Sequence, residues 1–453
     1  MDIKNRVESY RTELLDKLGK LVAVNSEEGE PEDGAPFGTG PRDALVCALK
    51  MMEEDGFKTV NLDNYIGYAE MGEGSQLIGI VGHLDVVPAH AEDGWNTDPF
   101  VMTEKEGMLY GRGVSDDKGA VAASMIAMKV LRDTGIKLNK RIRLIMGTNE
   151  ETGSKGLAYY VQKEGSVDLG FTPDGEFPGV YGEKGMVGAL YHSKKTSIRE
   201  ISGGTAGNVV CRNCYAVVDK CSFSNKALED WFNNNNIDFT VESTEEGTKI
   251  SVQGVAAHAS TPELGTNAIS YLLAGLKNAG YQDPFVDFYN THFGLYTDGT
   301  GMGCKCSDEY GALTLNNGVI SMKDGVITGT VDIRYPVTMN ARKVTAMMKD
   351  YLDAEGGYVE IVRTGEPLFY PADSPLVASL LEAYQEVTGD TETQPMTIGG
   401  GTYAKGIDNT IAFGCAFPGR DYHIHDANEE CSVDELLKQA EIYVAALIKL
   451  LNI

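Results

Sequence analysis

Two adjacent glutamates, Glu150 and Glu151, are the residues of this sequence that most clearly point to chemistry. Neighbouring carboxylates at the end of a predicted strand repel each other, which is unfavourable unless a cation or a shared proton relieves the repulsion. Metal-assisted hydrolysis uses such a division of labour, because one carboxylate can hold an ion while the other takes a proton from water. If this pair stood alone, two solvated loop residues would be the better interpretation.

His83 and Asp85 lie two residues apart, directly after a strand predicted at residues 77–81. Side chains two positions apart on an extended chain point the same way. His83 could therefore bind a metal while Asp85 orients its imidazole ring. An isolated pair of this type is more often a surface accident or a simple hydrogen-bonded pair, so it needs support from other segments.

The segment 111–119, Gly-Arg-Gly-Val-Ser-Asp-Asp-Lys-Gly, forms a glycine-bounded loop that opens a predicted helix. A helix N-cap would explain one of its aspartates, since serine and aspartate are preferred at that position. The second aspartate would then have no role. Asp116 could instead use both oxygens to bridge two cations, with the glycines allowing the backbone to crowd the site.

Asp174 and His425 are less informative when each is taken alone. Asp174 follows a strand predicted at 167–171 and would ordinarily be interpreted as a turn residue. His425 lies two residues after His423 on an acidic segment, and surface histidines are common. The five segments gain weight from their placement, because nearly all follow a strand and open α/β sheets bind ligands at strand ends.

Length and composition exclude several classes of function. A chain of 453 residues exceeds what one hydrophobic core usually supports, so at least two domains are expected. A formal charge of -27 argues against nucleic acid and against an anionic membrane surface as partners. No apolar run approaches the roughly 20 residues of a membrane helix, and residues 1–24 predict an amphipathic helix, not a signal peptide. We therefore expect a cytoplasmic protein.

The eight cysteines are scattered, which favours reduced thiols over a disulfide scaffold. Cys211 and Cys214 form a C-x-x-C pair. The other close pair, Cys304 and Cys306, has the wrong spacing for a zinc ribbon, so a structural zinc site is not expected.

The order of predicted elements indicates an α/β fold whose largely parallel, mixed sheet is flanked by helices, with an inserted α+β lid domain. From about residue 184 the pattern changes to strands joined by tight turns, such as 319–334 around Asp324-Gly325, with helices at 267–277 and 341–352. Helical patterns return at 376–387 and in a final helix after Ser432-x-x-Glu435, a capping box. We predict a catalytic domain at 1–184 and 372–453 and a lid at 185–371.

Together these segments resemble the dinuclear metallopeptidases of family M20, which include carboxypeptidase G2, the succinyl-diaminopimelate desuccinylases and bacterial dipeptidases of the PepV and carnosinase type. The matching stretches are 82–88 (Gly-His-Leu-Asp-Val-Val-Pro), 111–119 and 149–154 (Asn-Glu-Glu-Thr-Gly-Ser), in that order. The resemblance spans almost the whole chain and is closest to the dipeptidases.

The resemblance implies a ligand set for two divalent ions. His83, Asp116 and Asp174 would bind one metal, and Asp116, Glu151 and His425 the other, so that Asp116 bridges. Mixed imidazole and carboxylate ligation suits zinc first, with manganese or cobalt as alternatives. By the same resemblance Glu150 would be the general base. Asp85 would be the partner of His83, and His90 and His423 have no assigned role.

The resemblance also assigns roles in the predicted lid. His258, in Gly-Val-Ala-Ala-His-Ala-Ser, would steady the oxyanion of the tetrahedral intermediate. Asn208 would contact the substrate, and Arg334 would pair with its terminal carboxylate. The glycine-rich loop would give backbone amides to the same end of the substrate, and its residues are Gly399, Gly400, Gly401 and Thr402.

The sequence thus predicts a metal-dependent dipeptidase acting on unmodified dipeptides, in which the two domains close on the substrate. An N-acyl amino-acid deacylase with the same metal site is the nearest alternative. A catalytically inactive binding homologue is a further one. A small peptide is the expected partner, and a monomer is favoured over a homodimer. Side-chain preference is not predicted.

Overall fold

The computed structural model describes residues 2–220, 223–348 and 353–453. These residues form two compact units. Unit 1 comprises Met1–Gly182, Tyr370–Thr397 and Gly401–Ile453, and unit 2 comprises Glu183–Phe369 and Ile398–Gly400.

The helices and strands are numbered in chain order. The helices are α1 Ile3–Ser9, α2 Arg11–Val22, α3 Thr39–Glu54, α4 Lys118–Asp133, α5 Lys155–Glu164, α6 Asn225–Asn234, α7 Ala268–Asn278, α8 Pro284–His292, α9 Ala341–Met347, α10 Pro375–Thr388 and α11 Val433–Leu451. The strands are β1 Lys58–Leu62, β2 Ile66–Met71, β3 Leu77–His83, β4 Thr103–Lys105, β5 Met108–Tyr110, β6 Arg141–Gly147, β7 Leu169–Thr172, β8 Val180–Glu183, β9 Gly185–Ser193, β10 Glu200–Gly203, β11 Asn213–Val218, β12 Asp238–Ser243, β13 Thr248–Gln253, β14 Ser307–Asp308, β15 Gly311–Ala312, β16 Thr314–Asn316, β17 Ile320–Lys323, β18 Val326–Tyr335, β19 Asp353–Ala354, β20 Gly357–Gly365, β21 Leu368–Phe369, β22 Met396–Ile398, β23 Thr410–Ala412 and β24 Glu430–Ser432.

Unit 1 is built on a mixed sheet whose parallel ladders lie in its centre. Strands β6, β3, β7 and β23 run parallel to one another, in that order. Antiparallel ladders flank them, through β1 and β2 on one side and the first residue of β8 on the other. All seven positions of β3 are buried, as expected of an apolar strand with parallel neighbours on both sides. The predicted α/β fold is confirmed.

Helices cover both faces of this sheet. On one face α4 packs against β3, α2 and α11, and it is buried almost all round because it is apolar almost all round. On the other face Leu157 and Tyr160 of α5 join Tyr403 and Ile407 in a smaller apolar cluster. The parallel strand ends are thus held by a packed core on each side, which fixes the loops that leave them.

Unit 2 is an antiparallel sheet with helices, in agreement with the predicted α+β character. Within the described residues its strand order is β12-β13-β11-β10-β17-β18-β9-β20-β19, with β16 beside β18. The hairpin predicted around Asp324-Gly325 is confirmed. Both residues have positive φ, 51° and 72°, as a two-residue turn of this type requires.

Element boundaries differ from the predictions in a few places. The predicted N-terminal helix is divided at Tyr10 into α1 and α2. His83 is the last residue of β3 and does not follow the strand, because the parallel ladder continues to its pairing with Gly147. The helix predicted at 341–352 is observed as α9, and residues 349–352 lie outside the described residues.

The capping box predicted for the final helix forms, and it yields a stability prediction. Ser432 Oγ accepts the N–H of Glu435 (3.1 Å), and Glu435 Oε2 accepts the N–H of Ser432 (3.3 Å). Because α11 contributes a large part of the unit 1 core, Ser432→Ala should lower the free energy of unfolding by about 1 kcal/mol. Urea unfolding beside Ser75→Ala, an exposed loop control, measures this. Equal stabilities of the two variants would contradict it.

Candidate metal centre

Three parallel strands of unit 1 deliver the proposed ligands to one edge of the sheet. His83 ends β3, Glu150 and Glu151 follow the end of β6, and Asp174 follows the end of β7. Since these strands are parallel neighbours, their carboxyl ends lie side by side. Residues that are far apart in the sequence but follow these strands therefore lie close together in the fold.

Asp116 lies between two histidines and uses a different oxygen for each. Its Oδ1 is 3.1 Å from His83 Nε2, and its Oδ2 is 3.0 Å from His425 Nε2. His425 has a φ of 66°, a left-handed backbone conformation that is strained in a residue other than glycine. One carboxylate between two imidazoles is the arrangement that a bridging ligand requires.

Two further carboxylates complete the cluster, one beside each histidine. Asp174 Oδ2 lies 3.8 Å from His83 Nε2, and Glu151 Oε1 lies 3.2 Å from His425 Nε2. Glu150 lines the same space, with ligand atoms of His83, Glu150 and Asp174 all within 4.8 Å of one another. All five residues predicted as ligands, together with the predicted base, are thus brought together.

The ring of His83 is held by neighbours on both sides. Its Nδ1 is 3.0 Å from the backbone oxygen of Asp85 and 3.6 Å from the Asp85 carboxylate, so the carbonyl is the nearer acceptor. The other carboxylate oxygen of Asp85 accepts the N–H of Glu151 at 3.0 Å. The Tyr403 ring packs edge-on against His83, and Gly147 admits it, since a Cβ there would lie 2.1 Å from the Tyr403 hydroxyl.

The electrostatics of the cluster are those of a cation site. Burial opposes a charge on either histidine, but the carboxylates around them raise the pKa of His83 well above its ordinary value and that of His425 to about 11. Burial and then Asp174 raise the pKa of Glu150, and burial and then Asp116 raise the pKa of Glu151. Carboxylates this crowded need positive charge among them.

The donor set fits divalent metal ions. Imidazole nitrogen and carboxylate oxygen converge from His83, Asp116 and Asp174 on one side and from Asp116, Glu151 and His425 on the other. Such mixed ligation suits zinc, manganese or cobalt. The ring of His83 also has a partner outside this set, the backbone oxygen of Asp85 at its Nδ1, as metal-ligating histidines usually do.

Asp117 is a buried acidic residue near the cluster to which the sequence analysis gave no role. Asp117 is fully buried, and its Oδ2 accepts the backbone N–H of His83 at 3.1 Å. Gly82 makes room for it, because a Cβ at that position would lie 2.7 Å from the same oxygen. Burial raises the pKa of Asp117 well above its ordinary value. In the sequence, the only indication of a role for Asp117 was its position next to Asp116. That position is also what a helix N-cap would explain.

Within unit 2, the residues predicted to contact substrate also form one group. The backbone oxygen of Asn208 accepts the N–H of Ala259, and the next residue, Val209, forms an isolated antiparallel β-bridge with His258. Gly399 packs on Ser260, where a Cβ on the glycine would lie 2.3 Å from the serine Cβ. Gly401 and Thr402 belong to unit 1, where Thr402 Oγ1 caps a short 3-10 turn.

The histidine of this group has a defined tautomer. His258 Nδ1 accepts the N–H of Ser260 at 3.2 Å and lies 2.7 Å from the Ser260 hydroxyl, so a neutral ring carries its proton on Nε2. Part of the Arg334 guanidinium is engaged by Asp332, whose carboxylate accepts hydrogen bonds from Nε (2.6 Å) and Nη2 (2.9 Å). Its Nη1 is directed to Gly399 O, at 3.4 Å.

The remaining histidines and the cysteine pair lie apart from these groups. His90 and His423 are exposed, with His423 Nδ1 3.9 Å from an oxygen of Asp421. Cys211 and Cys214 are buried free thiols, and burial raises the pKa of Cys211 to about 11. Among the described residues, the groups of side chains that could hold a metal ion include none of these four.

Comparison with known proteins places the chain in a family. Residues 79–449 match the model of peptidase family M20/M25/M40, and the chain belongs to that family. A Beta-Ala-Xaa dipeptidase of Lactobacillus delbrueckii subsp. lactis is 31% identical, covering 99% of this chain and 98% of its own. The chain is therefore a peptidase, a hydrolase of a family that uses divalent metals.

Solved structures confirm the fold. Human carnosine dipeptidase 1 covers 100% of this chain and 98% of its own at TM-score 0.59 and 18% identity. A tripeptidase from Staphylococcus aureus subsp. aureus Mu50 covers 97% and 98% at TM-score 0.58 and 17% identity. Among the described helices none is both long and apolar enough to cross a bilayer.

The histidine pKa values predict that metal binding releases protons. With both values raised, His83 and His425 carry protons at pH 7, and metal ligation requires the unprotonated nitrogen. Zinc titration by calorimetry near neutral pH should therefore show an enthalpy that depends on the buffer's ionisation enthalpy, with fewer protons released as the pH is raised. His425→Gln should release fewer protons, and His423→Gln should match the wild type. Buffer-independent enthalpies would refute this assignment.

Proposed function

We propose that this chain is a two-metal dipeptidase that hydrolyses unmodified dipeptides, with His83, Asp116 and Asp174 holding one divalent ion and Asp116, Glu151 and His425 the other. The convergence of these side chains around the two oxygens of Asp116 carries the proposal. Zinc is the first candidate metal, with manganese or cobalt as alternatives. The full-length similarity to a Beta-Ala-Xaa dipeptidase supports the choice of substrate class.

A cavity in unit 1 beside the metal centre favours a free amino terminus on the substrate. The cavity has a volume of about 560 Å³, and its lining includes Asp116, Asp174, Glu176 and Asp421. One cationic side chain, Arg420, also lines it, but that guanidinium is paired with Glu435 at 2.8 Å and Glu430 at 3.3 Å. Because Asp116 and Asp174 would be neutralised by the ions, Glu176 and Asp421 are the carboxylates that would attract an ammonium group and repel the carboxylate of an N-succinyl substrate.

Divalent ions held by the two ligand sets would supply polarisation of the scissile carbonyl and a lowered pKa for a water molecule. Glu150 accepts the proton of the attacking water and returns it to the leaving amine. Its carboxylate suits this task because it lies at the metal centre, with the ligand atoms of His83, Glu150 and Asp174 all within 4.8 Å of one another. Asp85 holds His83 through its backbone oxygen and the Glu151 N–H through its carboxylate.

Unit 2 would supply the remaining groups to the substrate. The Nε2–H of His258 would donate to the developing oxyanion, and Asn208 would contact the substrate. Arg334 and the amides of the 399–402 loop would take the terminal carboxylate. We propose that unit 1 is the catalytic domain and unit 2 the lid. A monomer and a cytoplasmic location stay predictions.

A substrate panel with metal quantification tests the proposed function. Unmodified dipeptides should be hydrolysed by enzyme carrying about two metal equivalents, since two ions divide the work. Dipeptide amides, which lack the terminal carboxylate, should be poorer substrates. Turnover confined to N-acetyl or N-succinyl amino acids would instead identify a deacylase, and no turnover with intact metal binding would identify a binding homologue.

The same assay on Glu150→Gln tests the base. The amide is close in shape and cannot take the proton, so kcat should fall about 10²- to 10⁴-fold while the metal content stays the same. Glu73→Gln, at an exposed loop position, serves as control. Full activity in Glu150→Gln would make the base assignment wrong.

His258→Ala tests the oxyanion role of unit 2. A donor needed only as charge develops affects kcat more than KM, so kcat should fall about 10²- to 10³-fold. Ser260→Ala should cause a smaller loss of the same kind, because Ser260 Oγ is one of two groups near Nδ1. A raised KM with unchanged kcat would mean that His258 only binds the substrate.

A further inference from the structure

Glu429 lies four residues after His425 and, apart from its place in that acidic segment, had no role in the sequence analysis. It is fully buried, although the residues on either side of it, Asn428 and Glu430, are partly exposed. A carboxylate is costly to bury unless its oxygens are well satisfied. The partners of Glu429 therefore indicate what the residue is for.

The Glu429 carboxylate accepts four N–H groups, two on each oxygen. Oε1 accepts the backbone N–H of Ser115 (2.9 Å) and of Asp116 (3.0 Å). Oε2 accepts the backbone N–H of Gly113 (2.9 Å) and Nη1 of Arg112 (2.8 Å). The four donors all come from the loop that presents Asp116.

The backbone around Glu429 joins the same two segments. Its carbonyl oxygen accepts the N–H of Gly111 at 3.2 Å. Strand β24 begins at the next residue and pairs with β5, placing Glu430 opposite Tyr110. The loop with Asp116 and the segment with His425 thus meet at one buried carboxylate.

We infer that Glu429 is a positioning residue of the metal centre, fixing the backbone of the Asp116 loop relative to the His425 segment so that one carboxylate reaches both imidazoles. This inference rests on the proposed function, because it concerns the same site. Glu429 itself contacts neither histidine through any bond described above, and it acts through the amide of Asp116.

The number of donors also determines which side chain can serve here, because both oxygens of Glu429 accept two N–H groups each. Only the ionised carboxylate can accept four N–H groups without presenting a hydrogen to one of them. A glutamine in its place would turn an NH₂ group toward two donors.

Cobalt binding to full-length Glu429→Gln and Glu430→Gln tests the inference without using activity. Glu430 is the adjacent glutamate and pairs with Arg420 instead. Glu429→Gln should bind Co²⁺ about 10- to 100-fold more weakly and show a changed visible spectrum, because supporting residues of metal ligands have effects of that size. Glu430→Gln should match the wild type in both.

The outcomes separate this inference from the proposed function. If the wild-type protein binds no cobalt, the proposed metal centre itself is refuted. If the wild type binds cobalt and Glu429→Gln has the same affinity and spectrum, only the role of Glu429 is overturned. The same holds if Glu430→Gln loses as much cobalt affinity as Glu429→Gln.

If Glu429→Gln does not fold, Glu429→Asp takes its place, keeping the charge beside Arg112 while shortening the reach to the loop. A lower cobalt affinity with an altered spectrum is then expected, and wild-type values would overturn the inference. Hydrogen exchange gives an independent measurement on the metal-free protein. The amides of Gly113, Ser115 and Asp116 should exchange faster in the variant than in the wild type. Unchanged exchange rates would contradict the positioning role of Glu429.

Discussion

The contact between the Asp116 carboxylate and two imidazoles is the constraint on which the rest of the site depends. Its oxygens lie 3.1 Å from His83 and 3.0 Å from His425, and the aspartate side chain is only 9% exposed. Further carboxylates crowd the same space, and their mutual repulsion in a partly dry environment is severe. Cations between them turn that repulsion into attraction. The proposed hydrolytic chemistry follows from the same charge.

The fold resists this repulsion by anchoring the ligands in its most rigid parts. His83 belongs to a strand that is buried along its whole length, and the loops of Glu151 and Asp174 leave its parallel neighbours. Asp116 stands just before the buried helix α4. His425 is the exception, since it lies on an irregular, exposed segment, and the capped helix α11 and the strand β24 hold the chain that follows it.

Much of this arrangement could be predicted from the sequence, because the informative signals were local. Apolar runs marked the strands, so His83, Glu150 and Asp174 could be placed at strand ends, and Ser432 and Glu435 marked the last helix. Glu429 and Asp117 could not be found in this way. Their roles depend on bonds to backbone N–H groups of other residues, and neither residue type nor spacing separates Glu429 from Glu430. The ion pair between Arg334 and Asp332 could not be predicted for a similar reason, since oppositely charged residues two positions apart on a strand are common.

Anomalous X-ray diffraction at the zinc edge, from crystals of the zinc-loaded protein, tests the central claim most directly. The account predicts two anomalous peaks roughly 3.5 to 4 Å apart, one on each side of the Asp116 carboxylate. One peak should contact His83 and Asp174, and the other His425 and Glu151. A single peak, or two peaks that do not share Asp116, would contradict the account.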